Sequence, residues 1–454
     1  MRSEADSFAI LDRALSAAAA DEADAVFISV DQNISRFANS QLHQNMSEES
    51  AWLTLRVIVN GSMGVASTSS FDDDEIARTA ALAREAAKHS DPLQKFNGLY
   101  RDNEPVAQLD TFDEATAHLS PAEKALDLRA MFDRGREAGV EFAGVYSTGG
   151  ASVACGNTHG VRRYCRMTHA DATIIALTKN SSGYATQRER RVDRISIRTL
   201  GDEAILKATL RAGVEEDLAP GAYDVILEPP ALAEVFDWMN MITFTGQSYE
   251  DGSSFFVGNI GKKFLGDNLT LVDDSNDETF LPFPFDMEGL PRKPIALIER
   301  GVIRTPMVDK AWSDRLSFAP TAGAWHLGSP EHGVAFHLAM AGGTATRDEL
   351  IASTKLGIWV TRFNYVNGLL EPKMALMTGT TRDGTFLVRD GEVVARLPNL
   401  RWTQSMVEAF SNIEALTAER RIVGTWYNMF GGTLAPVVKV RGWNFTGKQE
   451  SLLQ

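Results

Sequence analysis

Apolar residues Phe8, Leu11 and Leu15 recur at helical spacing in ADSFAILDRALSAAAA, which predicts an amphipathic helix over residues 5–20. The pattern then changes period. In AVFISVDQNISRFANSQLHQNMSEESAWLTLRVIVNGSMGVAST apolar positions alternate, and Asn60-Gly61 is a hairpin signal, so this stretch predicts antiparallel strands. From Asp72 to Ala87 the helical period returns, opened by the acidic run DDDE that suits the positive end of a helix. Residues 92–118 hold Pro92 and Pro105, show no period, and read as a linker. Ser120-Pro121-Ala122-Glu123 supplies an N-cap, a proline at the first helical position and an acid two residues on, predicting a helix from Pro121 to about Ala138. Residues 140–200 alternate again as strands, and 202–215 predict a further helix.

From Gly221 the texture becomes richer in strands. YDVILEPPALAEVFDWMNMI reads as a strand followed by a proline-initiated helix, residues 230–244. Arg300-Gly301, Asp383-Gly384 and Asp390-Gly391 predict hairpin turns, and short helices interrupt near Thr346–Thr354 and Thr403–Phe410. The pattern predicts an α+β fold: an N-terminal helix–antiparallel sheet–helix unit (1–105), a second small α+β unit (106–218) and a large β-rich C-terminal domain (219–454).

Charge narrows the partners. Lys plus Arg is 45 against 60 Asp plus Glu, a formal net charge of −15, which argues against nucleic acid and anionic membranes. The densest basic run, Arg188, Arg190, Arg191 and Arg194, reads as a solvated strand edge. Two cysteines, Cys155 and Cys165, make neither a disulfide framework nor a Cys-rich zinc site. The N-terminus has acids where a signal peptide needs an apolar run, and no stretch is long enough to span a membrane, so a cytoplasmic protein is expected.

The candidate chemistry is sparse. His326, His332 and His337 fall close together in HLGSPEHGVAFH, but EHGVAFHLAM reads as a strand, where an odd separation sends His332 and His337 to opposite faces. They are therefore expected to be loop or packing residues rather than metal ligands. Asp273, Asp274, Asp277 and Glu278 lack the spacing of a calcium loop and read as a solvated turn. His159 and Cys165 lie near each other without a residue to orient a Cys–His pair.

Several stretches, taken in order, resemble the TldD/PmbA family, also described as modulators of DNA gyrase. These are SRFANSQLHQN, LRVIVNGSMGVAST and DDDEIARTAALAREAA near the N-terminus. FFVGNIGKKFLGDNLTLVDD, DELIASTKLGIWV and FLVRDGEVVARLPNLRWTQSMVEAFSNIEAL follow in the C-terminal region. The resemblance implies one of two subunit types. TldD-type chains are zinc metallopeptidases with HExxxH on a helix and a cysteine ligand near the C-terminus; TldE-type chains lack those ligands and pair with TldD in a chamber that cuts small or unfolded peptides.

The corresponding helix here, PALAEVFDWMNMITF, has no histidine. Glu234 stands alone, and Phe236, Trp238 and Met239 occupy the space expected for ligands; RIVGTWYNMF has no cysteine. The resemblance thus implies a non-catalytic TldE-type subunit with no metal or cofactor of its own, a zinc-bearing TldD-type partner in a heterodimer, self-association when alone, and a peptide substrate. A stand-alone homodimeric peptide-binding protein, or a peptidase with a relocated site at His326, His332 and His337 or at the acids near Asp273, is the alternative. Arg36, Asn39 and His43, alternating with Phe37 and Leu42 on an expected strand, are the candidate substrate-binding residues. Trp402, Trp426, Tyr427, Phe430 and Trp443 are the candidate interface aromatics.

Overall fold

The computed structural model describes residues 1–102, 104–425 and 430–448. In chain order the N-terminal elements are α1 (Glu4–Ala17), β1 (Glu22–Ala38), β2 (Gln41–Val59), β3 (Ser62–Thr68), α2 (Asp73–Lys88), α3 (Glu114–Ala117), α4 (Pro121–Ala138), β4 (Glu141–Asn157), β5 (Arg162–Leu177), β6 (Ser182–Glu189) and α5 (Ile197–Thr209). The C-terminal elements are β7 (Gly221–Leu227), α6 (Pro229–Ile242), α7 (Gly246–Glu250), β8 (Leu271–Asp273), β9 (Ile295–Glu299), β10 (Val302–Ile303), α8 (Lys310–Leu316), β11 (His337–Met340), α9 (Arg347–Ala352), β12 (Leu356–Glu371), β13 (Leu376–Arg389), β14 (Glu392–Arg396), β15 (Leu400–Ser405), α10 (Met406–Ser411), β16 (Ile413–Gly424) and β17 (Gly432–Lys448). The fold is α+β. No helix among the described residues is long and apolar enough to cross a membrane.

Local chemistry explains the helix starts. Asp72 accepts from the Glu75 amide, and Ser120 and Glu123 form a reciprocal capping box over Pro121. Two expected helices are displaced. The helix expected over 202–215 runs Ile197–Thr209, because Ser196 caps it by accepting from the Thr199 amide, and a turn with Arg211 at φ 53° ends it. The helix expected from Thr403 starts at Met406, since residues up to Ser405 remain in β15 and Ser405 becomes the N-cap.

The first sheet has the order β3-β2-β1-β4-β5-β6, every pair antiparallel. It runs across residue 105 without an edge, because β1 pairs with β4 from Asp24↔Asn157 to Phe37↔Gly144. Strand alternation divides its two faces. Phe27, Phe142 and Ile174 pack under α1, α2, α4 and α5, whereas Val26, Ile28, Val30, Val153 and Met167 face Phe283, Phe285 and Phe336 from the C-terminal region. Burial on both faces is why the centre of β1 reads as a nearly unbroken apolar run. Helix α2 lies very close to β3: a Cβ on Gly64 would stand 2.0 Å from the Ala83 carbonyl oxygen.

The second sheet runs β10-β9-β8-β11-β17-β15-β13-β12-β7, with β14 on β13 and β16 on β17. A further pairing of β17 with β7 closes β7, β12, β13, β15 and β17 into a ring. Arg300-Gly301 and Asp390-Gly391 turn hairpins as expected. Asp383-Gly384 does not. It lies inside β13 as a bulge opposite Val360–Arg362, with both residues at positive φ, so the dipeptide's conformational freedom bends a strand instead of reversing it.

Candidate functional site

Helix α6 begins on Pro229-Pro230 and lies against the closed part of the second sheet. Phe236 and Met239 are fully buried in the core beside Phe363, Trp402 and Trp443, and Phe236 stacks on Phe410 with ring centroids 5.4 Å apart. Trp238 lies over Gly368, where an added Cβ would meet the indole at 2.8 Å.

The opposite side of α6 faces a cavity of about 170 Å³ lined by Ala233, Glu234, Asp237, Tyr184 and Arg362. Sequence reading left Glu234 alone; the structure adds Asp237 one turn on, a three-residue spacing that places both on one helix face. Burial raises the Glu234 carboxyl above its ordinary range, opposed by the charge of Arg362. Arg362 is held across the bulge by Asp383, with Nε 2.8 Å from Oδ2, and its guanidinium lies 4.5 Å from the Tyr184 ring centre. Ser182 Oγ donates to the other Asp383 oxygen at 2.6 Å, so β6 of the first sheet and β13 of the second build one wall together.

In the HExxxH register Glu234 holds the glutamate position, and Ala233 and Trp238 stand in the two histidine positions. These residues do not fit zinc. A methyl group and a packed indole replace both imidazoles, and the two remaining carboxylates share their cavity with a guanidinium, short of the three or four ligands that zinc takes. Among the described residues no group of three or more His, Cys, Asp or Glu is placed to hold a metal ion.

The three histidines are not brought together. His337 is buried at the start of β11; Arg292 Nη1 lies 2.7 Å from its Nδ1, and its Nε2 lies 3.2 Å from the Phe430 carbonyl oxygen. Burial first, then Arg292, pushes its pKa well below the ordinary value. His332 Nδ1 pairs with Asp309 at 2.9 Å and the ring stacks on Trp312. His326 sits against Trp325. The strand expected over 331–340 begins only at His337, because positive φ at His332 and Gly333 breaks the extended run.

Other charged groups are more buried than their sequence pattern implies. Asp273 is no part of a solvated turn; it is buried and held by Arg292. Arg188 and Arg190 of the basic run are buried, while Arg191 and Arg194 remain outside. His159 pairs with Glu22 at 2.7 Å, away from both thiols, and burial raises Cys155 and Cys165, the latter to about 11.

The family now follows. The description "PmbA/TldA metallopeptidase C-terminal domain" matches residues 220–447, half of the chain, and "PmbA/TldA metallopeptidase domain 1" matches residues 23–87. The chain belongs to the PmbA/TldD family. Its fold is similar to TldE from Thermococcus kodakarensis, with a TM-score of 0.84 and 17% identity over 97% of this chain and 99% of that one. A protein of Thermotoga maritima described as a modulator of a DNA gyrase gives a TM-score of 0.82 at 18% identity, covering 97% and 100%. These likenesses show the fold alone. An uncharacterised Methanocaldococcus jannaschii protein is 24% identical over 60% of this chain and 62% of its own length. A metalloprotease of Methanothermobacter thermautotrophicus is 22% identical over 38% and 37%. The chain thus spans less than two thirds of these two relatives.

In this PmbA/TldD chain Arg36, Asn39 and His43 all lie exposed at the tip of the β1–β2 hairpin. Asn39 is not on a strand: with Ser40 it forms the turn, at φ 50° and 52°, and His43 lies opposite the register shift at Arg36/Phe37. Trp402 and Trp443 are core rather than interface, 5.1 Å apart and both packed on Phe363. Phe430 packs partly buried beside Phe283. Trp426 and Tyr427 lie outside the described residues.

Proposed function

We propose that this chain is the non-catalytic, TldE-type subunit of a metallopeptidase complex that processes small or unfolded peptides. It pairs with a TldD-type subunit that carries the zinc. The observation that carries this reading is α6: its carboxylates face a cavity at the HExxxH register, while both imidazole positions are filled by groups that cannot ligate. The chain purified alone should hold less than stoichiometric zinc and leave an unfolded peptide intact. Mixed with a subunit bearing HExxxH, it should support cleavage that neither chain gives by itself. One zinc per chain in this protein alone, by elemental analysis, overturns the reading.

The role that remains is to hold substrate. Strand β3 covers Leu53–Val59 of β2, so among the described residues Gln41–Trp52 is a one-sided edge leading to the hairpin tip. An extended peptide adds to such an edge through backbone hydrogen bonds, which suits a broad substrate range. Arg36, Asn39 and His43 at the tip then bond its carbonyls and polar side chains and break no bond. Arg36→Ala with Asn39→Ala should weaken peptide capture by the assembled complex about ten-fold, the loss of one or two hydrogen bonds. Both side chains are exposed, so no packing is lost, but alanine tolerates φ 50° less readily than asparagine, so the melting temperature should fall by a few degrees at most, and Arg36→Ala with Asn39→Gly separates that strain from capture. Equal capture by the double variant removes the tip from the substrate path.

A further inference from the structure

Arg190 follows β6 and shares a face with Arg188, two residues back along the extended run. Asp171 lies opposite Arg188 in register, so His169 and Met167 of β5 lie on that face as well. The two arginines are satisfied to different degrees. Arg188 donates from Nε and Nη2 to Asp171 at 2.7 and 2.9 Å and from Nη1 to the Gly431 carbonyl at 2.6 Å. Arg190, with 4% of its side chain exposed, has one ion pair, Nη2 to Asp110 at 2.9 Å, and Asp110 is itself 55% exposed. Arg190 Nε and Nη1 are buried and meet no acceptor among the described residues.

An orphaned donor on a buried charged group costs on the order of 1–3 kcal/mol or more, so a pair of them marks a place where an acceptor belongs. Arg190 lines a notch that is open on one side, together with His169, Met167, Leu281 and Phe430 among others. Its volume is about 20 Å³. A single water needs roughly 10–15 Å³, so the notch admits a group about the size of one or two waters and excludes a ring. A carboxylate brings two acceptor oxygens on one carbon and continues out through the open side. A phosphate brings further oxygens, and the two hydroxyls that line the notch, Thr111 and Thr168, already donate to the Arg166 and Arg190 carbonyls. Asp110 is screened by solvent, which leaves the inward side of the guanidinium positive. Burial holds His169 neutral, its pKa lowered to about 4, so the imidazole adds no charge of its own at neutral pH.

The notch also lies on the sheet face that carries Arg36. His169 stands in register with Gly149, and Gly149 with Gln32 of β1. Gln32 is two strands from His169, about 10 Å at 4.8 Å per strand, and Arg36 is four residues farther along β1 on the same face, about 13 Å at 3.3 Å per residue.

We propose that the Arg190 notch is a carboxylate subsite, which takes the C-terminal carboxylate of a peptide, or the carboxylate of an acidic side chain, on Nε and Nη1. The identity of the ligand rests on the peptide-holding role above.

The test is direct binding to the full chain, read by fluorescence anisotropy. Three probes share one flexible labelled sequence: a free C-terminal acid, its C-terminal amide, and the amide with one internal glutamate. The acid should bind about ten-fold tighter than the plain amide, the gain expected of a charge-assisted hydrogen-bonded pair. Acetate should compete with the acid and inorganic phosphate should not. Recovery of affinity by the glutamate probe assigns the site to acidic side chains too, and no recovery restricts it to C-termini. In Arg190→Met, which removes the orphaned donors while keeping the bulk, acid and amide should bind alike. Arg190→Lys, which keeps the charge but loses the fork, should retain only part of the preference. Melting curves of both variants check the fold. Equal binding of acid and amide by the parent, no binding of either, or an unchanged preference in Arg190→Met means that the notch holds water only. Cleavage by the mixed subunits is a separate readout, so failure here leaves the pairing experiment standing, and failure of pairing leaves this one readable.

Discussion

Arg56→Ala is expected to destabilise the protein by about 3–5 kcal/mol, the range for stripping one partner from a buried ion pair. Arg56 lies on β2 and is nearly fully buried. Its Nε and Nη2 meet the two Asp24 oxygens of β1 at 2.9 and 2.5 Å, and its Nη1 lies 2.8 Å from Glu288 Oε1 of the C-terminal region. Burial raises the carboxyls of Asp24 and Glu288, and Arg56 opposes this in both. Alanine removes that opposition and leaves two buried carboxylates facing each other. The sign of the pH dependence follows. Their folded pKa values then lie further above the unfolded ones, so the cost is absent below the unfolded carboxyl pKa and grows as pH rises through the folded values. Chemical denaturation should therefore find a larger deficit at pH 8 than at pH 5. Adding Asp24→Asn and Glu288→Gln to the alanine variant should recover part of the loss. A deficit below about 1 kcal/mol at pH 8 would place this triad among ordinary surface pairs.

That triad was not legible in the sequence, and the reason is general to this chain. Features decided within a few residues were readable: the acidic start of α2, the Ser120 cap, the Asn60-Gly61 and Asp390-Gly391 turns, and the two-period pattern of the N-terminal helices and strands. Features decided by distant partners were not. Asp273 looks like part of an acidic turn until Arg292 arrives, and Arg188 looks like a charged edge until Asp171 and the Gly431 carbonyl close over it. Trp402 and Trp443 have the composition of an interface, yet the ring closure of β17 on β7 places them inside. Asp383-Gly384 carries a hairpin signal because positive φ is all that either a turn or a bulge asks of the pair. The candidate site shows the same division. The absence of histidine on α6 was plain from composition, whereas the face shared by Glu234 and Asp237 needed the cavity wall that Tyr184 and Arg362 supply from elsewhere.

Leu369→Asp with Leu370→Asp is expected to weaken subunit association about 100-fold or more and to abolish cleavage by the mixed complex, while leaving the isolated fold intact. With the core aromatics withdrawn from the interface, the large apolar side chains still facing solvent become informative. The β12–β13 hairpin carries Tyr365 at 88%, Leu369 at 62% and Leu370 at 52% exposure, around a groove of about 830 Å³ that also includes Arg382 and Arg401. Tyr365 is held at φ 56° beside an irregularity in the β12–β13 register. A bulky residue there costs on the order of 1–3 kcal/mol, and a ring 88% exposed has little packing to offset it. Burying a leucine contributes about 1.5–3 kcal/mol, so two of them at an interface centre account for several powers of ten in affinity before any carboxylate is forced into it. The side chains are exposed in the isolated chain, so their replacement removes no core packing and the melting curve should not move. Sedimentation of the chain alone reads self-association, and titration with the HExxxH-bearing subunit reads the pairing. Both should fall together if one surface serves self-association and pairing alike. Loss of self-association with full partner binding would assign the hairpin to a homodimer and place the heteromeric interface elsewhere on the β-rich domain; no change in either would take the hairpin out of assembly altogether.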